Sequence, residues 1–232
     1  MLKKGKPYFT KVSKGKLIVF EGIDGSGKTT QAKLLLRYLR KNKISSACIS
    51  FPRYQDSLWG NMVRRYLDGE FGDLDRVSPY LASVLYAGDR LSAANSVKKW
   101  LSKGKIVVCN RYVGSNLAHM GGKLKGKSEK AKYVNWLEKL EYQENGIPKE
   151  DLAILLSTPA EFSRKLMSAR KLDIHERNIQ YQSVVAGIFE QLAREKENWF
   201  KVDCVRGVKL RKPQDIHKEV LEILRARKII NR

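Results

Sequence analysis

The chain lacks any hydrophobic run long enough to cross a membrane. Its apolar stretches stay below the roughly 18 residues that would suggest a transmembrane helix. Residues 1–16 are basic but have no apolar core of the kind found in secretory signals. We therefore expect a cytoplasmic protein without membrane association, whose residues 1–15 form a solvated basic tail. A transit peptide is the alternative for that segment.

Cysteine is also scarce. The three thiols, Cys48, Cys109 and Cys204, each lie in an apolar, strand-like run. Their odd number and irregular spacing match neither a disulfide framework nor a zinc site. We expect buried, free thiols in a reducing compartment.

Acidic residues are few compared with basic ones. The chain has 46 Lys and Arg against 24 Asp and Glu, a net charge of +22. Such an excess favours anionic partners: nucleotides, nucleic acid or anionic membranes. Because it is spread along the chain and not concentrated among aromatic residues, we do not expect nucleic-acid binding. A generally basic surface with a few arginines at an anionic site is the better interpretation.

Five short apolar runs alternate with helical patterns. The predicted strands are 16–21, 47–51, 106–109, 152–156 and 200–205. The predicted helices are 30–39, 57–67, 78–102, 129–143, 158–167, 175–197 and 213–227. This alternation predicts one α/β domain over 16–232, a five-stranded parallel sheet flanked by helices. Ligands of such sheets bind at the carboxyl ends of the strands.

A phosphate-binding loop follows the first predicted strand. Residues 22–29, GIDGSGKT, match the pattern G-x-x-x-x-G-K-[ST] between a strand and a helix. Glycines let backbone N–H groups converge on phosphate oxygens, and the helix N-terminus adds partial positive charge. The sequence therefore predicts a phosphate-binding site here.

Arginine follows three other predicted strands. Arg53 comes after the second and Arg111 after the third, while Arg164, Arg170 and Arg177 follow the fourth. Arginine suits bidentate recognition of phosphate. Because these strand ends face the phosphate-binding loop, we expect a second phosphorylated ligand beside the first.

Taken in order, these segments resemble the thymidylate kinase family over residues 16–205. The similar segments are FEGIDGSGKTTQ (20–31), FPRY (51–54), LYAGDR (85–90), NRY with SNLA (110–112, 115–118), PKEDL (148–152) and KLDIHE (171–176). The resemblance implies a P-loop nucleoside monophosphate kinase fold with a short lid at about 164–177. It implies phosphorylation of dTMP to dTDP by ATP with Mg²⁺, and a homodimer packed through helices.

The resemblance also implies roles for individual residues. Donor phosphates would contact the stretch from Gly25 to Thr30, with Thr29 near Mg²⁺. Asp24 would lie between the two nucleotides, where it would organise the metal, water or Arg53. These donor-site residues are Gly25, Ser26, Gly27, Lys28, Thr29 and Thr30. Lys28, Asp24, Arg111 and a lid arginine would be the catalytic residues.

For the acceptor dTMP, the resemblance implies another set of contacts. Arg53 and Arg111 would bind its phosphate, and Tyr86 would stack on thymine. Arg90 would donate to a base carbonyl, and Asn116 can both donate to and accept from the imide edge. His119 would lie near the sugar, where it could screen against a ribose 2′-OH.

Two departures from the family pattern keep other functions open. Asn110 stands where the family usually has Asp, and Met120 follows His119 where a polar residue is common. One alternative is therefore a kinase of another nucleoside or deoxynucleoside monophosphate. The other is a P-loop ATPase that binds nucleic acid through the +22 charge.

Some members of the family that this chain resembles have an arginine in the phosphate-binding loop at the position of Gly25 or Ser26, and this chain has none. The resemblance then implies that the catalytic arginine comes from the lid. Arg170 is our first choice, ahead of Arg164 and Arg177. Such an arginine neutralises charge on the transferring phosphoryl group.

We predict that Arg170→Ala lowers kcat far more than it weakens dTMP binding, measured by steady-state kinetics and equilibrium binding. Equal losses in both would make Arg170 a binding residue.

Overall fold

A parallel five-stranded sheet forms the centre of the protein. The computed structural model describes residues 14–166 and 173–231. The strands are β1 (Lys16–Glu21), β2 (Ser46–Ser50), β3 (Ile106–Asn110), β4 (Leu152–Ser157) and β5 (Trp199–Asp203), in the order β2-β3-β1-β4-β5. The predicted fold class is confirmed. All pairings are parallel, so the carboxyl ends of β1 and its neighbours β3 and β4 meet at one edge.

Helices cover both faces of the sheet. They are α1 (Lys28–Lys41), α2 (Leu58–Leu67), α3 (Pro79–Ser102), α4 (Val113–Gly121), α5 (Lys127–Glu138), α6 (Ala160–Leu166), α7 (Ile179–Glu195) and α8 (Pro213–Ala226). Alternate side chains of β1 enter two separate cores, as strand geometry requires. Leu17 and Val19 join the core beneath α2, α3, α4, α5 and α7. Ile18 and Phe20 join the core beneath α1 and α8.

Several predicted elements were wrong in detail. The sequence analysis missed α4 and the short hairpin of β6 (Val205–Arg206) and β7 (Lys209–Leu210). The helix predicted over 129–143 is α5 followed by a π-helix, Lys139–Glu144. The helix predicted from 175 begins only at Ile179, because the Asn178 side chain caps it by accepting from the Tyr181 N–H at 2.9 Å.

Some predictions fall partly or wholly outside the described residues. These are residues 1–13 of the tail, residues 167–172 of the lid and, with them, Arg170.

Cys109 and Cys204 are buried free thiols as predicted, but Cys48 is exposed because β2 is an edge strand. Within the described residues, no helix combines the length and the apolar character that crossing a membrane requires.

The packing of α2 on α3 depends on a glycine. The indole of Trp59 lies against Gly88, and a methyl group at that position would overlap the ring. By contrast, a methyl group at Gly187 on α7 would meet no atom within 4 Å. The two glycines therefore offer the same substitution in a filled and in an open environment.

We predict opposite effects of Gly→Ala at these positions. Gly88→Ala should lower the free energy of unfolding by about 1–3 kcal/mol because the indole must move. Gly187→Ala should raise it by about 0.5–1 kcal/mol because alanine favours the helix. Urea unfolding followed by circular dichroism measures both. Similar changes at the two sites would contradict the packing described here.

Candidate active site

The loop between β1 and α1 lines a cavity at the sheet edge. Gly22 and Gly27 have φ values of 137° and 90°, which favour glycine, and a Cβ at Gly22 would lie 2.7 Å from the Leu156 carbonyl oxygen. The cavity has a volume of about 630 Å³. Its lining includes every predicted donor-site residue: Gly25, Ser26, Gly27, Lys28, Thr29 and Thr30.

Lys28 folds back over this loop. Its Nζ donates to the carbonyl oxygens of Gly22 at 3.0 Å and Ile23 at 2.6 Å, and the side chain is buried. Burial, reinforced by the charge of Arg111, lowers the pKa of Lys28 to about 7, although Asp24 opposes this shift. An anionic ligand in the cavity would favour the charged ammonium.

Asp24 and Arg111 form an ion pair at the boundary between this cavity and a second one. Burial alone would raise the pKa of the Asp24 carboxyl, but the charges of Arg111 and Lys28 outweigh it and hold that pKa well below its usual range. Arg111 has φ 65°, a left-handed conformation that is costly for residues other than glycine. This conformation lies directly after β3, where the chain turns towards α4.

A carboxylate missed by the sequence analysis holds that turn. Glu21, at the end of β1, accepts from the backbone N–H groups of Tyr112 at 2.8 Å and Ser115 at 3.1 Å. It also accepts from Ser115 Oγ at 2.5 Å, and Ser115 Oγ in turn accepts from Arg111 Nη1 at 3.1 Å. Glu21 is buried, which raises its pKa. It therefore fixes the start of α4 relative to Arg111.

The second cavity contains five of the six predicted acceptor residues. Tyr86, Arg90, Arg111, Asn116 and His119 all line it, together with Asp24. Its volume is about 60 Å³, below the few hundred Å³ of usual ligand pockets. Lining residues not singled out from the sequence as ligands are Phe51, Pro52, Tyr54, Leu67, Tyr112, Ser115, Met120, Asp173 and His175.

Two histidines stack inside the acceptor cavity. The rings of His119 and His175 lie 5.6 Å apart with an interplanar angle of 25°. His175 Nε2 is 2.9 Å from the Tyr66 hydroxyl, and His119 Nε2 is 3.4 Å from Arg111 Nη1. Burial lowers the pKa of His175 to about 3, and burial together with Arg111 lowers that of His119 well below its usual value. Both rings are therefore neutral near pH 7. The sequence analysis did not predict that His175 lines this cavity.

Arg53 lies beside the acceptor cavity and is not among its lining residues. Its Nε donates to Asp89 Oδ1 at 3.1 Å, and its backbone N–H donates to Asp89 Oδ2 at 2.7 Å. These contacts attach Arg53 to α3. Its role in binding the acceptor phosphate therefore stays a prediction.

The helix that leads into the lid contacts the phosphate-binding loop. Ser163 Oγ on α6 donates to the carbonyl oxygen of Asp24, and Leu166 lines the donor cavity. Arg164 Nη1 donates to the carbonyl oxygen of Arg177 at 3.0 Å, linking the two sides of the lid. The lid therefore begins next to Asp24, which lies at the boundary between the two cavities.

The fold and the paired cavities define a P-loop nucleoside monophosphate kinase. The model of the thymidylate kinase family matches residues 20–214. A thymidylate kinase of Mycobacterium tuberculosis (strain H37Rv) is 31% identical over 184 residues, covering 76% of this chain and 85% of the relative. That of Plasmodium falciparum is 29% identical over 209 residues, covering 90% and 89%.

A solved structure agrees with these sequence relatives. The thymidylate kinase of Candida albicans superposes with a TM-score of 0.73 at 25% identity, covering 94% of this chain and 96% of that one. The chain belongs to the thymidylate kinase family. The predicted family is confirmed, while the roles of individual residues stay predictions.

The lowered pKa of Lys28 generates a prediction about proton uptake. At pH 8 the ammonium has lost its proton in most unliganded molecules, and bound phosphates should restore it. We expect ATP binding at pH 8 to take up nearly one proton, measured by calorimetry in buffers of different ionisation enthalpy. Lys28→Arg, which stays charged, should abolish the uptake. Buffer-independent binding heats in the unsubstituted protein would contradict the shifted pKa.

Proposed function

We propose that the protein transfers the γ-phosphoryl group of ATP to dTMP, forming dTDP. The observation that carries this proposal is the orientation of Asn116 in the acceptor cavity. Its Nδ2 donates to the Ser83 carbonyl oxygen at 3.2 Å, which leaves Oδ1 available as an acceptor. This oxygen is buried and has no hydrogen-bond partner among the described residues. The imide N3–H of thymine would satisfy it, whereas cytosine has no N3–H.

Arg90 and Tyr86 support the same base. Arg90 lines the cavity and presents only donors, which match a thymine carbonyl and oppose the 4-amino group of cytosine. Tyr86 lies in the wall beside them, with its ring edge-to-face against Tyr66 at 6.4 Å. Together these side chains recognise a flat base with a carbonyl–imide edge.

The ion pair of Asp24 and Arg111 would connect the two substrates. Arg111 lines both cavities, so its guanidinium can contact the acceptor phosphate and the transferring group. Lys28 and the backbone amides of the phosphate-binding loop would hold the donor phosphates. Positioning and charge neutralisation drive phosphoryl transfer more than a strong base does, so we assign none.

The residues beside the phosphate-binding loop fit a magnesium ion. Thr29 Oγ1 accepts from Asn110 Nδ2 at 3.2 Å, and Asn110 Oδ1 is buried without a partner among the described residues. With the Asp24 carboxylate, these atoms form an oxygen-rich set of the kind that Mg²⁺ prefers. Thr29 and Asp24 would hold the ion directly or through water. When bound with ATP, the ion would neutralise charge on the β- and γ-phosphates.

Three further proposals concern the oligomeric state, the cellular location and the range of acceptor nucleotides. A homodimer packed through α3 is supported by exposed Leu81, Val84 and Leu91 on that helix. A cytoplasmic location is supported by the buried free thiols of Cys109 and Cys204. A wider acceptor range is the alternative function, since the Candida albicans relative is described as having broad substrate specificity.

A nucleotide panel tests the proposed function. With ATP and Mg²⁺, we predict that dTMP and dUMP are phosphorylated with kcat/KM at least about a hundredfold above dCMP, because cytosine has no N3–H for Asn116 and presents an amino group to the donors of Arg90. UMP should be poorer than dUMP if His119 screens the ribose 2′-OH. No preference for dTMP would overturn the substrate assignment. ATP hydrolysis stimulated by DNA or RNA in a salt-dependent manner would favour the nucleic-acid alternative.

A further inference from the structure

We propose that Glu141 is a positioning residue that fixes the base-reading Arg90, and so helps determine which base the enzyme accepts. The inference rests on the proposed function, in which Arg90 donates to a thymine carbonyl. Glu141 does not line the acceptor cavity as described, whereas Arg90 does. The contact with Arg90 is therefore the route by which we expect Glu141 to affect the base.

The contact between the two side chains restrains the guanidinium. Glu141 Oε1 accepts from Arg90 Nε at 2.9 Å and also from Nη2. On the other side, Arg90 Nη1 donates to the Tyr112 carbonyl oxygen at 3.3 Å. These bonds use three of the five N–H groups of the arginine and leave two for a ligand. Held on both sides, the guanidinium is restrained in one orientation.

Burial makes this restraint strong. Arg90 and Glu141 are only 2% and 0% exposed, so water does not compete for their hydrogen bonds. Burial alone would lower the pKa of Arg90, but the adjacent Glu141 carboxylate outweighs it and raises that pKa. Removing the carboxylate would leave a buried, uncompensated guanidinium.

The π-helix brings Glu141 to this position. Tyr133 and Leu137 are buried on α5, and Glu141 continues their spacing of four residues. In a regular α-helix, two such steps rotate a side chain by about 80°, away from the buried face. The π-helix has more residues per turn and offsets that rotation. Irregular π segments are frequent at functional sites, and here the irregularity serves one carboxylate.

The contact is made through one carboxylate oxygen. Glu141 Oε2 is buried and has no partner among the described residues, so Oε1 alone accepts from the Arg90 N–H groups. This contact restrains the Nε and Nη2 side of the guanidinium, and hydrogen bonds between charged groups are about twice as strong as those between neutral groups.

The test compares Glu141→Gln with the unsubstituted enzyme. We expect KM for dTMP to rise about tenfold, with kcat and KM for ATP within about twofold of their original values. The preference for dTMP over dCMP, measured as the ratio of kcat/KM, should fall because a loosened Arg90 no longer opposes the 4-amino group. Unchanged KM and preference, or parallel losses in kcat and ATP binding, would overturn the proposal.

Matched variants exclude general destabilisation. Glu138→Gln removes a carboxylate three residues earlier, where Glu138 pairs with Lys196 at 2.5 Å, and should change neither KM nor preference. Glu141→Asp keeps the charge but withdraws it by one methylene, so it should give an intermediate KM even if Glu141→Gln folds poorly. A KM as high as that of Glu141→Gln, or unchanged, would count against positioning.

A double variant tests whether Glu141 acts through Arg90. On an Arg90→Met background, Glu141→Gln should cause no further rise in KM for dTMP. An additional rise would show that Glu141 acts on the base by another route. If the unsubstituted enzyme itself shows no preference for dTMP, the proposed function fails, and that result precedes any comparison of variants.

Discussion

The ion pair between Asp24 and Arg111 is the contact on which both halves of the site depend. It stands where the two cavities meet, and each residue lines both. Without Asp24, the charges of Arg111 and Lys28, both largely buried, would repel each other. The pair therefore permits two cations to face the same transferring group. Because β1 and β3 are neighbours, the residues that follow them are brought together by the sheet itself.

The sheet alone does not aim Arg111, and Glu21 supplies the missing restraint. Its carboxylate binds two backbone N–H groups at the start of α4 and the Ser115 hydroxyl that contacts Arg111. These bonds stabilise the left-handed conformation of Arg111, which would otherwise be unfavourable. A residue of the first strand thus orients a side chain of the third strand's loop. The position of the guanidinium is a property of the folded core, since Glu21 is buried there.

Sequence reasoning predicted the sheet, the phosphate-binding loop and five of the side chains that line the acceptor cavity. The sheet and the loop follow from local pattern and from the rule that strand ends meet. Sequence reasoning could not predict the carboxylates behind the arginines. Asp89 and Glu141 lie 36 and 51 residues from the arginines they bind, so only the folded chain pairs them. It also missed α4, whose start is fixed by Glu21 rather than by a local cap. It missed the π-helix for a different reason, because the hydrophobic spacing of that segment resembles the spacing of α5.

These pairings change how the net charge of +22 should be interpreted. Each arginine predicted for the acceptor is bound to a carboxylate: Arg53 to Asp89, Arg90 to Glu141 and Arg111 to Asp24. The acceptor site is therefore far closer to neutral than the surface around it. Recognition there depends on oriented N–H groups, which distinguish one base edge from another, whereas diffuse positive charge would attract any polyanion. A basic surface can raise the rate of encounter with nucleotides. Selectivity among nucleotides depends on the carboxylates that hold the arginines in place.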